Sequence, residues 1–550
     1  MSAPAEANSI PKIAGRAAAK TAARSPQVLC FAAGLHGARR DAIGRSAGKS
    51  RSLAGCAPRS ASASPSPPRP SCAASLRPRR PRPRSPSPRL PPRRPTSPAR
   101  STSCCRPILA RARIGLLVVD MATGARLYEK NPDLGLNPAS NIKLVTTAAA
   151  LSLLGPEHRY VTRVYAKKGA LKGHTVDGDL YLKGGGDPSL VTADLYQLAS
   201  DLRALGVTKI TGGLVLDSTA YDRDELPPLF DQKDELASFR APGGATAVNF
   251  GTYVVLARPG AGEGDPAIVA IDPPVPSLKL KANTATTATG ARNQLKLAIG
   301  TTDAGVVEIA VDGTIGKDAA AAEYRYPVAR PAEYAGEVFR LVLKQRGVSL
   351  GRAAVKSEAV PEDSERLALV RSEPLSVLVR SVNKLSNNYV AEHILKSLDD
   401  HTPASFAGGL ARVRTWLAGL GVGVDGFVYN NGSGLYDANR ISAAQLVQLL
   451  IAVHRDFRYG ADFLASLPIA GVDGTLRGRM QEGRAARFVR AKTGSLDGVS
   501  TFSGYAGAVG RPPLAFAILF NDLDTFAAPQ ARDLQNQIAE LLAGAVAARP

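Results

Sequence analysis

The composition of the chain changes abruptly near residue 111, and this boundary limits what each side of it can fold into. Residues 1–110 contain 21 of the 69 Lys and Arg residues, only 2 of the 47 Asp and Glu residues, and 18 of the 40 prolines. No apolar periodicity runs through this segment, so it cannot bury enough apolar surface to offset the entropy lost on ordering. We therefore expect residues 1–111 to be disordered and the folded part to begin at about residue 112.

The charge of the chain divides at the same place. Residues 111–550 hold the remaining 48 basic and 45 acidic residues, so nearly all of the formal charge of +22 belongs to the N-terminal segment. A nearly neutral folded part excludes a nucleic-acid-binding function for the protein as a whole, and we expect no nucleic-acid partner. For the segment itself, three interpretations stay open: a mis-assigned start translated from another reading frame, a genuine disordered tail, or a basic binding arm.

All five cysteines also precede residue 106. The folded part therefore cannot contain a cysteine nucleophile, a thiolate zinc site or a disulfide framework. No run of 18 apolar residues occurs, which predicts that no helix crosses a membrane. The apolar stretch from Val28 to Leu35 is short for a secretory signal, so an export signal is not evident.

The folded part alternates strand and helix patterns, which indicates an α/β (α+β) fold. Apolar strands are predicted at 114–120 and 125–129, Gly-punctuated strands at 177–218 and 250–330, and two further strands at 501–509 and 513–520. Helical periodicity predicts helices at 140–154, 193–205, 331–347, 374–398, 406–420, 442–456 and 528–547. The arrangement suggests one α/β domain built from both ends of this part, with a large β-rich insertion between them.

A serine activated by a lysine is the catalytic pair that remains after other hydrolase motifs are excluded. No Gly-x-Ser-x-Gly elbow with a nearby His and no His-Glu-x-x-His pair occurs. Ser140 and Lys143 open an apolar helical segment, and residues i and i+3 share one helix face. A lysine whose pKa is lowered by burial or a second cation could take the Ser140 proton. Taken alone, the pair also fits an N-capping serine beside a solvated lysine, because the same spacing occurs at Ser9/Lys12, Ser46/Lys49 and Ser381/Lys384.

Two further motifs follow the Ser140/Lys143 pair and favour its catalytic interpretation. Ser386-Asn387-Asn388 leads a helical run, and Lys492-Thr493-Gly494-Ser495 begins a strand-like stretch. Ser-x-x-Lys, Ser-x-Asn and Lys-Thr-Gly in this order are typical of active-site-serine penicillin-recognising enzymes. The second serine can relay a proton, the asparagine can bond a peptide group, and the Lys-Thr-Gly strand can bind a carboxylate. Ser381-Val382-Asn383 also fits the middle motif and is an alternative register.

The chain resembles the class C low-molecular-mass penicillin-binding proteins, which form the D-alanyl-D-alanine carboxypeptidase/endopeptidase family. The resemblance runs from about residue 112 to 545 and includes the 246 positions between Ser140 and Ser386. It rests on the stretches Leu136-Asn137-Pro138-Ala139-Ser140-Asn141-Ile142-Lys143, Gly184-Gly185-Gly186-Asp187-Pro188, Asn431-Gly432-Ser433-Gly434-Leu435, Asn439-Arg440-Ile441-Ser442, Leu467-Pro468-Ile469-Ala470-Gly471 and Ala491-Lys492-Thr493-Gly494-Ser495-Leu496.

The resemblance implies both a fold and a mechanism. A β-lactamase/transpeptidase-like domain would comprise residues 112–165 and 366–550, with the inserted β-rich domain at 166–365. The implied catalytic residues are Ser140 as nucleophile, Lys143 as base, Ser386 and Lys492 as proton carriers and Asn388 as the group that orients the acyl-enzyme. Thr493, Gly494 and Ser495 would bind substrate, and the backbone N–H groups of Ser140 and Ser495 would form the oxyanion hole. No metal or cofactor is implied.

The implied partners are peptidoglycan stem peptides and cross-links, with β-lactams as inhibitors. Such substrates imply an extracytoplasmic, periplasmic location. Two alternatives stay open: a β-lactamase and a catalytically weak paralogue that binds peptidoglycan. The chain departs from the family's pattern at four positions, of which Asp437 replaces an arginine that helps hold the acidic end of the diamino acid. The other three are Asn431, Asn387 and Asp497.

Overall fold

The structure is a computed structural model that describes residues 111–351, 355–524 and 527–548. The disorder predicted for residues 1–111 therefore lies outside the described residues, except at residue 111, which is in a turn. The helices are α1 (Lys143–Leu154), α2 (Thr192–Ala204), α3 (Pro331–Gln345), α4 (Leu375–Leu385), α5 (Asn388–Lys396), α6 (Phe406–Gly419), α7 (Ala443–Arg455), α8 (Gly460–Ser466) and α9 (Ala527–Ala547). The strands are β1 (Arg113–Asp120), β2 (Arg126–Lys130), β3 (Val161–Lys167), β4 (Leu171–Lys172), β5 (Thr175–Val176), β6 (Leu180–Lys183), β7 (Lys209–Ile210), β8 (Leu214–Asp217), β9 (Thr252–Arg258), β10 (Ile268–Asp272), β11 (Leu278–Asn283), β12 (Thr286–Ala288), β13 (Lys296–Thr301), β14 (Val307–Asp312), β15 (Thr314–Gly316), β16 (Ala322–Pro327), β17 (Ser349–Leu350), β18 (Val355–Ser357), β19 (Ser364–Arg371), β20 (Val489–Leu496), β21 (Val499–Ala508) and β22 (Arg511–Asn521). No described helix is long and apolar enough to cross a membrane.

One antiparallel sheet joins the two ends of the described chain. Its strand order is β2-β1-β22-β21-β20, so the first strands pair directly with the last ones. Side chains of a strand alternate between faces, and β1 is apolar on both. Leu117 belongs to the core that includes α1 and α7, whereas Leu116 belongs to the core that includes α9. This sheet is therefore covered by helices on both faces, as the predicted α/β class requires.

The insertion has its own core and several small sheets. Strands β18-β8-β6-β3-β19 form a mixed five-stranded sheet, β17-β7-β5-β4 form a four-stranded one, and β9 to β16 form two three-stranded sheets and one pair. Strands β3 and β19 pair with each other and contribute Val164 and Ala368 to the insertion core. We propose that the inserted domain spans about residues 161–371, slightly longer at both ends than the 166–365 of the sequence-based prediction.

Helix α5 contacts the insertion directly. His393 Nε2 accepts a hydrogen bond from Gly244 N at 3.3 Å, and the ring lies where a side chain on Gly243 would stand. The buried Lys396 ammonium donates to Asp224 O at 2.6 Å and forms an ion pair with Asp222. The segment between Asp222 and Gly244 is therefore attached to α5 at both of its ends.

The predicted single helix over 374–398 is wrong, because two helices occupy this range. Ser386 ends α4 in the left-handed conformation, with φ 61°. Asn387 then caps α5 by accepting a hydrogen bond from Val390 N at 3.2 Å. Apolar residues continue at helical spacing through both helices, so periodicity alone did not indicate the break.

Candidate active site

Ser140 lies in a tight turn that precedes α1. A 3-10 turn spans Ala139–Ile142, and Ala139 has φ 44°, so the backbone enters the helix through an uncommon conformation. Thr501 Oγ1 of β21 donates to Pro138 O at 2.8 Å and attaches the turn to the sheet. The Asn141 side-chain amide also contacts the sheet, 2.8 Å from Ser503 Oγ. The turn that carries Ser140 is thus attached to the sheet both before and after this residue.

Lys143 is one helical turn after Ser140 and is fully buried. Its Nζ lies 3.0 Å from Ser140 Oγ, 2.7 Å from Asn388 Oδ1 and 2.5 Å from Ser433 O. Burial lowers the pKa of Lys143 to about 7, although the negative charge of Glu392 opposes this shift. Near neutral pH a large fraction of Lys143 is therefore uncharged and able to accept a proton.

The break between α4 and α5 presents the middle motif to the same place. Ser386, in its left-handed conformation, accepts a hydrogen bond from Lys492 Nζ at 3.0 Å. Asn388 accepts one from Lys143 through Oδ1 and donates one through Nδ2 to Phe239 O at 3.1 Å. The structure therefore brings Ser386 and Asn388 beside the two lysines, each against a different one.

The alternative middle register occupies a different environment. Ser381 Oγ donates to Leu378 O of its own helix at 2.8 Å. Asn383 is buried and its Nδ2 donates to Thr147 Oγ1 at 3.1 Å and to Ser466 Oγ at 2.8 Å. Ser381 thus bonds within α4, and Asn383 links α4 to α1 and α8. The structure therefore favours Ser386 and Asn388, which contact the two lysines, as the middle motif.

Strand β20 supplies the third motif. The ammonium group of Lys492 is buried, and its pKa is well below the ordinary value because of burial and because of the nearby Lys143. Two buried cations in one site repel each other, so near neutral pH the pair does not carry two full charges. Thr493 Oγ1 donates to Thr475 Oγ1 at 2.8 Å, and Ser495 is exposed.

Gly494 allows β20 to approach the turn at Ser140. A Cβ at this position would lie 2.9 Å from both Ser140 N and Pro138 O, and would overlap the Thr501 side chain. These are backbone atoms and a hydroxyl already engaged in a hydrogen bond, so they have little freedom to move. The absence of a side chain at Gly494 is therefore a requirement of this close contact.

Strand β20 is the edge strand of its sheet, and one part of its edge is open. Ala491 N donates to Pro468 O, which lies on the side away from β21. Because N–H groups alternate in direction along an antiparallel strand, the N–H groups of Thr493 and Ser495 point to this outer side too. Within the described part of the chain, no strand pairs with Lys492–Leu496 there.

Glu392 is a residue at this site that the sequence analysis missed. It lies one helical turn after Asn388, is 4% exposed, and accepts hydrogen bonds from Ser433 N at 2.7 Å and Gly432 N at 3.0 Å. Because residues i and i+4 lie on the same face of a helix, the spacing from Asn388 could have predicted that Glu392 faces the site. Its contact with Gly432 could not be predicted from the sequence, because 40 positions separate the two residues in the chain.

The four departures from the family pattern have structural partners. Asn431 uses its amide fully, since Nδ2 donates to Leu435 O at 3.2 Å while Oδ1 accepts from Gly434 N at 2.9 Å, and a carboxylate could not donate. Asn387 caps α5, as an aspartate would. Asp437 forms a two-pronged ion pair with Arg440 at 2.6 and 2.9 Å, and the exposed Asp497 pairs with Lys233 at 3.3 Å.

Among the described residues one group has the spacing of metal ligands: Asp399, Asp400 and His401, after α5. Asp400 and His401 are exposed, and His401 Nδ1 lies 2.8 Å from Asp399 Oδ1. The group is therefore already paired internally, and nothing in its geometry indicates a bound ion.

Comparison with known proteins identifies the family of the chain. Residues 101–544 match the D-Ala-D-Ala carboxypeptidase 3 (S13) family. The chain belongs to this family. The fold class and the enzyme class predicted from the motifs, a serine peptidase of the D-Ala-D-Ala carboxypeptidase type, are thereby confirmed.

Individual relatives cover most of the described chain of this S13 family member. It is 37% identical over 432 residues to the D-alanyl-D-alanine carboxypeptidase of Actinomadura sp. (strain R39), covering 76% of this chain and 79% of that protein. It is 25% identical over 422 residues to the D-alanyl-D-alanine carboxypeptidase DacB of Haemophilus influenzae, covering 75% of this chain and 86% of the relative. The crystal structure of penicillin binding protein 4 (dacB) from Haemophilus influenzae has the same fold, with a TM-score of 0.66 at 23% identity over 78% of this chain and 97% of that one.

Proposed function

We propose that this S13 family member hydrolyses D-Ala-D-Ala peptide bonds of peptidoglycan, as a carboxypeptidase and an endopeptidase, with Ser140 as the nucleophile. The observation that carries the proposal is the 3.0 Å contact between Ser140 Oγ and Lys143 Nζ, an amine whose burial lowers its pKa to about 7. A serine becomes an effective nucleophile only when an adjacent base takes its proton. Lys143 is in hydrogen-bonding reach of Ser140, and its lowered pKa suits this task.

The proposed acylation step uses both lysines and both serines. Ser140 Oγ attacks the carbonyl carbon of the penultimate D-alanine, and its proton moves to Lys143 Nζ. The N–H groups of Ser140 and Ser495 stabilise the negative oxygen that forms. The outward direction of the Ser495 N–H, at the open edge of β20, supports its assignment to this role. The C–N bond then breaks, and Ser386, hydrogen-bonded to Lys492, delivers a proton to the departing amine.

The second half of the reaction returns the enzyme to its starting state. Water attacks the ester between the substrate and Ser140, and the ester C–O bond breaks as one proton of the water passes to Ser140 Oγ. The other proton is released to solvent, and the shortened peptide leaves with a new carboxylate. The proton that Lys143 took during acylation replaces, through Lys492, the one that Ser386 gave to the amine. Asn388 orients the acyl group, and Lys492 with Thr493 binds the C-terminal carboxylate of the substrate. The open edge of β20 supports this assignment, because a peptide bound along it can form backbone hydrogen bonds.

The proposed inhibitors are β-lactams, which would acylate Ser140 and leave slowly. Penicillin binding protein 4 of Haemophilus influenzae has been crystallised in complex with a β-lactam, which supports this extension to a chain of the same fold. We also propose an extracytoplasmic, periplasmic location, since the proposed substrate lies in the cell wall.

The function is tested by incubating the full chain with a peptide that ends in D-Ala-D-Ala and measuring released D-alanine, with and without penicillin. We expect release without penicillin and inhibition with it. Rapid destruction of the penicillin with no release from the peptide would identify a β-lactamase instead. Peptide binding with neither release nor acylation would identify a binding paralogue.

The pH dependence of acylation follows from Lys143. Only its neutral form can accept the Ser140 proton, and its pKa is about 7. The acylation rate constant is therefore expected to be low below pH 7 and to rise through pH 7 as Lys143 loses its proton. The measurement is the rate of fluorescent-penicillin attachment across pH at fixed ionic strength. A rate that falls through this range would contradict Lys143 as the base.

Adding a methyl group at Gly494 is expected to disrupt the site. In Gly494→Ala the new Cβ would crowd Ser140 N and Pro138 O, each 2.9 Å away, and would displace the turn that carries the nucleophile. A displacement near 1 Å costs about 10²-fold in rate, so we expect a loss of acylation of about that size. Gly300→Ala is the matched control, since Gly300 is also a strand glycine but nothing lies within 4 Å of its Cβ position. Equal acylation rates for the two variants would show that the close contact is dispensable.

A further inference from the structure

Glu392 is a buried carboxylate beside the site that the mechanism above does not use. One of its oxygens accepts from Ser433 N and the other from Gly432 N, at 2.7 and 3.0 Å. Both partners are donors, so an ionised carboxylate satisfies both of them and a neutral acid would place a hydroxyl against an N–H group. A buried charge is tolerated in proteins when it is paired and hydrogen-bonded in this way.

One residue connects Glu392 with the proposed base. The N–H of Ser433 donates to Glu392, and the carbonyl of Ser433 accepts from Lys143 Nζ at 2.5 Å. The loop has little freedom to move, since a Cβ on Gly434 would overlap Ala139 O. The carboxylate and this packing together therefore hold the Ser433 carbonyl against Lys143 Nζ.

The charges around Glu392 give it a second effect. Lys143 faces it from α1, Lys492 lies beyond Lys143 on β20, and Tyr429 precedes the loop. Burial raises the pKa of Tyr429 far above neutrality, and its hydroxyl lies 2.7 Å from Thr146 Oγ1, so it stays uncharged. Burial raises the pKa of Glu392 above its ordinary value, and the loop donors and the Lys143 charge reduce that rise without reversing it. The ionised form therefore follows from the geometry, since both of its hydrogen-bond partners are N–H donors. Glu392 is thus the acidic group that acts on Lys143.

We propose that Glu392 is a positioning residue of the peptidase site, which holds the Ser433 carbonyl against Lys143 and stabilises the ammonium that forms when Lys143 takes the Ser140 proton. This inference rests on the roles proposed for Ser140 and Lys143. A fixed negative charge near a cation that develops during reaction lowers the barrier, because it needs no reorganisation at that moment.

The test is the acylation of full-length Glu392→Gln by a fluorescent penicillin as a function of pH. Glutamine keeps the length but removes the charge, and it turns an NH₂ group toward one of the two N–H donors. We expect an acylation rate about 10²-fold lower at the alkaline plateau. We also expect the midpoint of the pH profile to move to lower pH, because the charge that raises the Lys143 pKa is gone. If Glu392 had only a structural role, the substitution would lower the melting temperature. The midpoint of the pH profile of acylation, measured on the folded protein, would then stay unchanged.

Two other variants complete the experiment. Glu337→Gln is the matched control, because Glu337 also accepts two hydrogen bonds, from Ser277 N and Oγ at 3.1 and 2.5 Å, but lies within the insertion. For this variant we expect the parental acylation rate and the parental midpoint of the pH profile. If Glu392→Gln does not fold, Glu392→Asp keeps the charge at a shorter reach and is expected to lower the rate while keeping the midpoint. A parental rate in whichever of these two Glu392 variants folds would overturn the proposal.

The same data separate this inference from the proposed function. Labelling of the parent that is lost in Ser140→Ala supports the proposed nucleophile, and a normal profile for Glu392→Gln then overturns the role of Glu392 alone. A folded parent that penicillin does not label overturns both.

Discussion

Replacing Ser140 with alanine is expected to abolish acylation by penicillin and release of D-alanine. Ser140 is the hydroxyl that contacts the proposed base Lys143, so the loss should approach the ~10⁶-fold measured when a serine hydrolase loses its nucleophile. The fold should change little, because the substitution removes one hydroxyl whose hydrogen bond contributes about 1 kcal/mol. The measurements are labelling with fluorescent penicillin, release of D-alanine from a peptide substrate, and the melting temperature.

Ser381→Ala is the control for this experiment, since Ser381 belongs to the other Ser-x-x-Lys pair of the folded part. Its hydroxyl bonds to Leu378 O inside α4. Labelling should therefore survive in Ser381→Ala and disappear in Ser140→Ala. Labelling that persists in Ser140→Ala would show that a different residue is acylated.

Replacing Lys143 with methionine is expected to have the next largest effect. Methionine has nearly the same length and fits a buried position, but it cannot take a proton from Ser140 Oγ. General-base catalysis contributes up to about 10⁴-fold, and a loss of this size in the acylation rate is expected. The variant also leaves Asn388 Oδ1 and Ser433 O without the Nζ donor that they now share. A lower melting temperature should accompany the loss of rate.

Lys183→Met separates the two consequences. Lys183 pairs with the buried Asp217 at 3.0 Å within the insertion, so its loss also leaves a buried acceptor. This variant should melt at a lower temperature than the parent and acylate at the parental rate. If Lys143→Met also acylated at that rate while folded, the base would have to be another group, with Lys492 the nearest cation on β20.

Each motif is local, so the sequence alone indicates which residues within it lie together. Ser140 and Lys143 share a helix turn, and Lys492 to Ser495 are consecutive on one strand, so the sequence spacing carries most of the geometry. What joins the motifs is not local. The contact between Lys143 and Asn388 links positions 245 residues apart, and the partners of Glu392 come from a loop with no periodic pattern.

The fold was predictable to a similar extent. Apolar stretches predicted β1, β21 and β22, and the runs in β1 and β22 are continuous because strands with helices on both faces are apolar on both. The parallel pairs β18 with β8 and β6 with β8 could not be predicted, since their order depends on packing in the insertion rather than on any turn. The helix break at Ser386 could not be predicted either, because it depends on contacts that are distant in the sequence. A left-handed serine is uncommon, and the site around it, rather than local preference, maintains it.

The attachment of α5 to the insertion has a consequence for how such a chain can evolve. One helix presents Asn388 at its first residue and, two turns later, Lys396, which is bound to Asp222 and Asp224 of the insertion. Excision of the insertion would leave a buried ammonium without its partners and uncover the ring of His393. The inserted domain is therefore a fixed component of the catalytic architecture and not an exchangeable module, and recombination between relatives should preserve α5 together with residues 222–244.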